Sequence, residues 1–208
     1  MKEYHKIQSI FKRDDKTHKF IEGQFSIPEF EYLQNNLWQA TEKIDGTNIR
    51  VIWDKDNKSI TFGGKTDDAQ MPPFLLTKLQ ELFPVEKFAT LYPDISMTLY
   101  GEGYGARIQK GGGNYIPNGC NFILFDVWID GLWLRWNDVT DIATKLGIAI
   151  VPIVGQCTLT DAIKLIKANT LKSTFGNFLM EGLVLKPLIE LSDRRGHRII
   201  TKIKHKDF

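Results

Sequence analysis

The 208-residue sequence predicts an α+β fold, mostly antiparallel sheets flanked by helices, and three observations carry that reading. Apolar alternation marks strands at 38–53, 59–64, 96–103, 121–129, 179–187 and 197–206. Helical spacing is confined to 74–83, 137–147 and 159–169. The two kinds of element do not alternate as a doubly wound parallel sheet requires.

In chain order, Trp38 to Trp53 reads as two strands around IDGTN, because Ile49, Val51 and Trp53 share one face. DKDNK at 54–58 is turn chemistry, and SITFGG returns as a hairpin partner. FLLTKLQELF has helical spacing and stops at Pro84. SMTLYGEG runs as a strand into a glycine-rich loop that ends near Gly119. NFILFDVWI and LWLRW form a hairpin about Asp130-Gly131. The next helix has Asn137 as its cap and Gly147 as its stop; LTDAIKLIKAN is a further helix. LMEGLVLKP and HRIITKIKHK are the closing strands.

With 42% hydrophobic and 25% charged residues, the chain suits one globular domain or a compact pair of lobes. It holds no run of eighteen apolar residues and begins without an apolar leader core, so no membrane partner is expected. Cys120 and Cys157 lack companions at ligand spacing, which argues against zinc or a disulfide framework and for a reducing cytoplasm. The net charge is only +2, yet Lys2, Lys6, Lys12, Arg13 and Lys16 crowd one terminus, and Arg194 to Lys206 is denser still. Two basic termini suit a phosphate-binding face. On charge alone, solvated surface lysines account for the pattern equally well.

Two nucleotide-binding look-alikes fail. Gly64-Lys65-Thr66 ends like a Walker A loop, but Ser59 stands at its first glycine and Pro72-Pro73 follows instead of a phosphate-binding helix. Gly101-Glu102-Gly103-Tyr104-Gly105 lacks the later kinase motifs. Thr41 to Asn48, TEKIDGTN, is stronger: a lysine at a strand end before an Asp-Gly turn stands at the mouth of a sheet. Its amine can attack phosphorus and form a phosphoramidate once deprotonated, which cationic neighbours favour. Alone, KxDG is common enough to be an ordinary surface lysine.

It is not alone. TEKIDGTNIRV resembles the first motif of the covalent nucleotidyltransferases, the superfamily of DNA ligases, RNA ligases and mRNA capping enzymes. LYGEGYG (99–105), FILFDVWIDG (122–131), EGLVLKP (181–187) and TKIK (201–204) resemble the later motifs, in the family's order. Asn48 in place of an arginine, and the ending IKHKDF, are similar to RNA ligases of the RNA ligase 2 type.

The resemblance implies a single nucleotidyltransferase (ATP-grasp-like ligase) domain, with 1–36 as an N-terminal extension and no appended C-terminal domain. It implies an ATP-dependent RNA ligase that adenylylates its own Lys43, passes AMP to a 5′-phosphate end and seals it to a 3′-OH. Glu42, Ile44, Asn48, Lys65, Glu102, Phe125, Glu181, Lys202 and Lys204 would bind ATP or AMP, with Phe125 stacking on the purine. Lys65 stands for an arginine, keeping the charge without the bidentate fork. Glu102 and Glu181 would hold hydrated Mg²⁺ or Mn²⁺ through water. Lys12, Arg13, Arg107 and Lys110 would contact nucleic acid, RNA being favoured. The loop 106–119, with Tyr115 as a stacking ring, either tracks a backbone or is plain flexible loop. A monomer in a bacterial or phage-infected cytoplasm, acting in RNA repair, completes the expectation. A minimal DNA ligase, a capping guanylyltransferase and a non-catalytic RNA-binding module are the alternatives.

Overall fold

A computed structural model describes residues 3–208. In chain order the strands are β1 (Gln8–Ser9), β2 (Phe11–Arg13), β3 (Phe20–Phe25), β4 (Trp38–Glu42), β5 (Thr47–Asp54), β6 (Ser59–Gly63), β7 (Met97–Gly105), β8 (Cys120–Ile129), β9 (Leu132–Trp133), β10 (Ala149–Ile150), β11 (Ile153–Cys157), β12 (Gly182–Pro187) and β13 (Thr201–Lys204). The helices are α1 (Pro28–Tyr32), α2 (Pro73–Leu82), α3 (Val85–Leu91), α4 (Trp136–Leu146) and α5 (Leu159–Lys167). Among the described residues no helix is long and apolar enough to cross a membrane. The chain divides into a central unit, Asp45–Val151 with Tyr4, and a terminal unit, His5–Ile44 with Pro152–Phe208.

The terminal unit is built on a five-stranded sheet in the order β1-β13-β12-β4-β11, with β1 parallel to β13 and the other neighbours antiparallel. Strand alternation sorts its side chains. Trp38, Ala40, Leu183, Leu185 and Ile203 enter a core with Ile10, Phe30, Leu159 and Ile166. Thr41, Val184 and Lys202, paired across three strands, occupy the opposite face. The first 36 residues, expected as an extension, supply Ile10, Phe11, Phe20 and Phe30 to this core. They are part of the unit because these side chains pack against the sheet's apolar face.

The central unit carries the order β10-β8-β7-β5-β6, with β9 paired to β8. Ile49, Val51, Trp53, Leu99 and Leu124 pack with α2, α3 and α4 on one face. The other face takes Asn48, Arg50, Tyr100 and Glu102, fixed there by the pairs Asn48↔Glu102 and Arg50↔Tyr100.

Several expected boundaries shift. Asn137 is not the cap of α4: Arg135 holds the extended N-cap backbone and its carbonyl accepts the first helical bond, from Val139. The start is set by the buried stripe Val139, Ile142, Ala143 and Leu146, not by the nearest capping side chain. The stop at Gly147 stands, in the left-handed region. Because Arg135 already serves the helix, LWLRW pairs only at Leu132–Trp133. The strand expected over 197–206 is limited to Thr201–Lys204, and that over 179–187 to Gly182–Pro187. Pro84 ends α2 but also opens the unanticipated α3.

Ile203 lies fully buried between the two lysines of TKIK. Ile203→Ala removes no polar group, and urea unfolding is expected to show a loss of about 2–5 kcal/mol.

Candidate active site

In the terminal unit, β4 ends at Glu42 and its next residue keeps the sheet's hydrogen bonding: the Lys43 amide donates to the Gly182 carbonyl at 3.0 Å. That bond sets Lys43 opposite the start of β12, where Glu181 stands. Lys43 Nζ donates to Glu181 Oε2 at 2.7 Å, and Lys204 Nζ reaches Oε1 at 2.5 Å. All three side chains are mostly buried, at 15–19% exposure. A Cβ at position 182 would lie 2.0 Å from the Ile203 carbonyl oxygen, so only glycine lets β13 approach closely enough for this contact. Lys202 lies two residues before Lys204 on the same face, paired with Val184.

Burial by itself would push the Glu181 carboxyl up, but the ammoniums of Lys43 and Lys204 outweigh it and hold Glu181 below its ordinary range. Lys43 is thus engaged in an ion pair that has to open before Nζ can offer its lone pair to phosphorus.

Glu42, expected at the nucleotide, points the other way along the strand and is 1% exposed. Ser173 Oγ donates to its Oε1 at 2.6 Å; Thr174 N and Oγ1 donate to its Oε2 at 2.9 and 2.8 Å. The carboxylate is a brace for the strand end, buried and committed to Ser173 and Thr174. Ile44 is likewise buried.

In the central unit, Asn48 and Glu102 are direct cross-strand neighbours. The Asn48 Oδ1 atom is buried and has no hydrogen-bond partner among the described residues, which leaves it an acceptor for a donor. Phe125 is the extra residue of a β-bulge, between the pairs Gly101↔Leu124 and Tyr100↔Asp126. The bulge turns it onto the face of Tyr100, where Tyr4 packs edge-on against it at 5.0 Å and donates to buried Asp126 at 2.7 Å. Asn48, Glu102 and Phe125 therefore share one sheet face. Lys65 is exposed just past β6. Its loop is held from beneath by fully buried Arg50, which donates to the Gly64 carbonyl and pairs with Asp67, both at 2.8 Å.

The loop after β7 is folded, not plain. Ala106 N donates to Ile116 O, and a 3-10 turn spans Gly112–Asn114. Tyr115 is not a free stacking ring: it packs on Tyr104 and its hydroxyl accepts from Asp45 N at 3.3 Å. Gln109 Nε2 donates to the Gly46 carbonyl at 3.2 Å. Gly46 itself is pressed against β7, where a Cβ would meet the Gly103 oxygen at 2.3 Å. The loop so latches the turn that follows the lysine, a role no local signal announces because the partners lie 63 and 70 residues apart. Arg107 and Lys110 stand exposed on it, and Lys12 is exposed in the terminal unit. Arg13 is reassigned. Its guanidinium pairs with Asp207 at 2.8 Å, donates to the His18 carbonyl at 2.8 Å and caps the Phe20 ring, bonds internal to the unit.

A strand-end lysine, its carboxylate partner and a K-x-K strand thus stand together at one end of the sheet. A family model described as RNA ligase matches residues 36–204, and the chain belongs to that family. No curated protein sequence matches it. Among solved structures, a Naegleria gruberi RNA ligase mutant with ATP and Mn is 22% identical with a TM-score of 0.67, covering 88% of this chain and 55% of that one. An apo mutant of the same ligase gives 20% identity and a TM-score of 0.68 over 96% and 57% of the two chains. The form with pyrophosphate gives 23% and 0.66 over 86% and 52%. The chain thus spans a little over half the length of these structures, and at such identity the likeness is one of fold.

Because the folded Glu181 value is depressed, its ion pairs stabilise the fold above the unfolded carboxyl's pKa, and that stability is lost as pH falls through the folded value. Lys43→Met is expected to move the Glu181 midpoint upward in a carbon-13 carboxyl titration. An unmoved midpoint would show that the pair does not form in solution.

Proposed function

We propose that the chain is an ATP-dependent RNA ligase that works through a lysyl-AMP on Lys43. The Lys43–Glu181–Lys204 constellation carries the reading, because binding alone requires no nucleophile paired to a buried carboxylate. Membership of the RNA ligase family and the ATP, manganese and pyrophosphate held by the Naegleria structures support it.

In the first step Lys43 Nζ attacks the α-phosphorus of ATP. An N–P bond forms as the bond to the pyrophosphate oxygen breaks; pyrophosphate leaves and the amine proton passes to solvent. The incoming phosphates meet the ammoniums of Lys202 and Lys204, and Lys43 has to leave Glu181 to reach the phosphorus. In the second step an oxygen of a 5′-phosphate end attacks the adenylyl phosphorus and the N–P bond to Lys43 breaks. In the third a 3′-OH attacks the activated 5′-phosphate and AMP leaves. Such transfers spread charge over phosphate oxygens, so fixed cations provide most of the catalysis. Phe125 offers the purine a stacking face, Asn48 and Glu102 accept from hydroxyls, and Lys65 supplies charge at a phosphate. Glu42 and Ile44 contribute through their backbone.

A divalent ion fits only in a hydrated form. Among the described residues no three acids, histidines or cysteines gather as a cage. Both Glu181 oxygens already face ammoniums, so Glu181, like Glu102 in its own unit, would meet Mg²⁺ or Mn²⁺ only through water. When bound, the ion neutralises phosphate charge. The protein is proposed to act as a monomer, in the cytoplasm, on ends of RNA in repair, with Lys12, Arg107 and Lys110 on phosphate.

Lys43→Ala is expected to abolish the one-AMP mass gain seen after incubation with ATP and Mg²⁺. Persistent labelling of the variant would move the nucleophile elsewhere, and labelling by GTP instead would indicate a capping enzyme. Glu181→Ala and Lys202→Ala should each slow labelling by about 10²–10³. A nicked RNA strand should be sealed faster than a nicked DNA strand; the reverse would make the chain a DNA ligase.

A further inference from the structure

The segment 190–198, which joins β12 to β13, folds into a hairpin that the chemistry above does not use. Ser192 bridges to Arg198, Asp193 N donates to the His197 carbonyl at 2.8 Å, and Gly196 N donates to Asp193 O at 3.0 Å. Both of the hairpin's acids are committed within it. Asp193 Oδ1 accepts from the amides of Arg195 and His197, each at 2.8 Å, and Oδ2 faces the His197 ring at 3.0 Å. Glu190 takes both arms of the Arg198 fork, at 2.5 and 2.8 Å, and Arg198 is buried. The fork stiffens the hairpin's base. What remains is Arg194 and Arg195, exposed at the tip with no partner among the described residues. A turn whose two acids are both engaged within it therefore presents two exposed guanidiniums at its tip.

The base of the same hairpin borders a groove lined by Pro28, Glu29, Tyr32, Leu33, Leu191 and Ile199. Tyr32 is 87% exposed there. An open aromatic ring in the groove, with an arginine pair at the tip of the hairpin that borders it, suits a strand whose bases are unstacked, since every base has a face to stack and every linkage a phosphate. Glu29 repels phosphate but accepts from the exocyclic amines of bases. The groove is thus suited to a base and the tip to the backbone.

We propose that the hairpin tip and the Tyr32 groove form a docking surface for single-stranded nucleic acid, with phosphates on Arg194 and Arg195 and a base on Tyr32. It rests on the RNA-ligase reading and assigns where a strand is held away from the reacting ends. The hairpin runs directly into the strand that carries Lys202 and Lys204, so docking is tied to the chemistry by backbone alone.

The test is fluorescence anisotropy of a labelled 20-nucleotide RNA, single-stranded or fully paired, titrated with the full chain over a range of salt. Changing Arg194 and Arg195 together to alanine should weaken single-strand binding and reduce the slope of log affinity against log salt by about 1.4, roughly 0.7 per phosphate contact. Changing both to lysine should keep most of that slope. Tyr32→Ala should weaken single-strand binding about five- to a hundredfold with the slope unchanged, and leave the paired RNA unaffected. Covalent AMP labelling of Lys43 should stay at the wild-type rate in all three variants, which reports an intact fold. Unchanged affinity and slope in the alanine variants would overturn the proposal. So would equal binding of a polyglutamate peptide, which would make the surface a protein-docking site. Failure of the wild-type chain to label with ATP would instead overturn the ligase reading and leave the binding result standing.

Discussion

A carboxylate largely withdrawn from water is costly unless cations meet it, and in the terminal unit Glu181 is met on both oxygens. Lys43 comes to it from the end of β4 and Lys204 from β13, so the register of three strands has to be right at once. Gly182 makes this possible by letting β12 and β13 close without a Cβ between them. A one-residue slip of β13 would turn Lys202 and Lys204 into the core and Ile203 out of it. The apolar demand of Ile203 therefore enforces the placement of the two lysines.

The same alternation organises each sheet. One side is closed by helices and aromatic residues; the other carries the polar groups. In the central unit, the bulge at Phe125 breaks strict alternation and adds an aromatic ring to the polar face. Tyr4, drawn from the far end of the chain, then braces that ring.

Charge is used differently inside and outside. Arg13, Arg50 and Arg198 look like surface cations in a linear reading, yet each is tied to a carboxylate, and the latter two are buried. They fasten the chain end, the Lys65 loop and the 190–198 hairpin. The cations left to a polyanion are fewer than the 27 lysines and arginines of the sequence imply, and they stand on turns that those internal pairs make rigid.

The sequence by itself determined the family, the order of its motifs and the parity of its strands. KIDGTN, GEG, EGLVLKP and TKIK are local, and period-two alternation states which side chains share a face. Lys43, Glu181 and Lys204 were legible together for that reason. Tertiary structure decided whatever depends on partners distant in sequence. It turned the Glu42 carboxylate to Ser173 and Thr174, withdrew Arg13 to Asp207, and bound Tyr115 and Gln109 to the turn after Lys43. It also moved the start of α4 from Asn137 to Arg135, where burial of an apolar stripe outweighed a cap. A linear pattern records what a residue is able to do; which of several bonds it makes is set by the groups that folding brings within hydrogen-bonding reach.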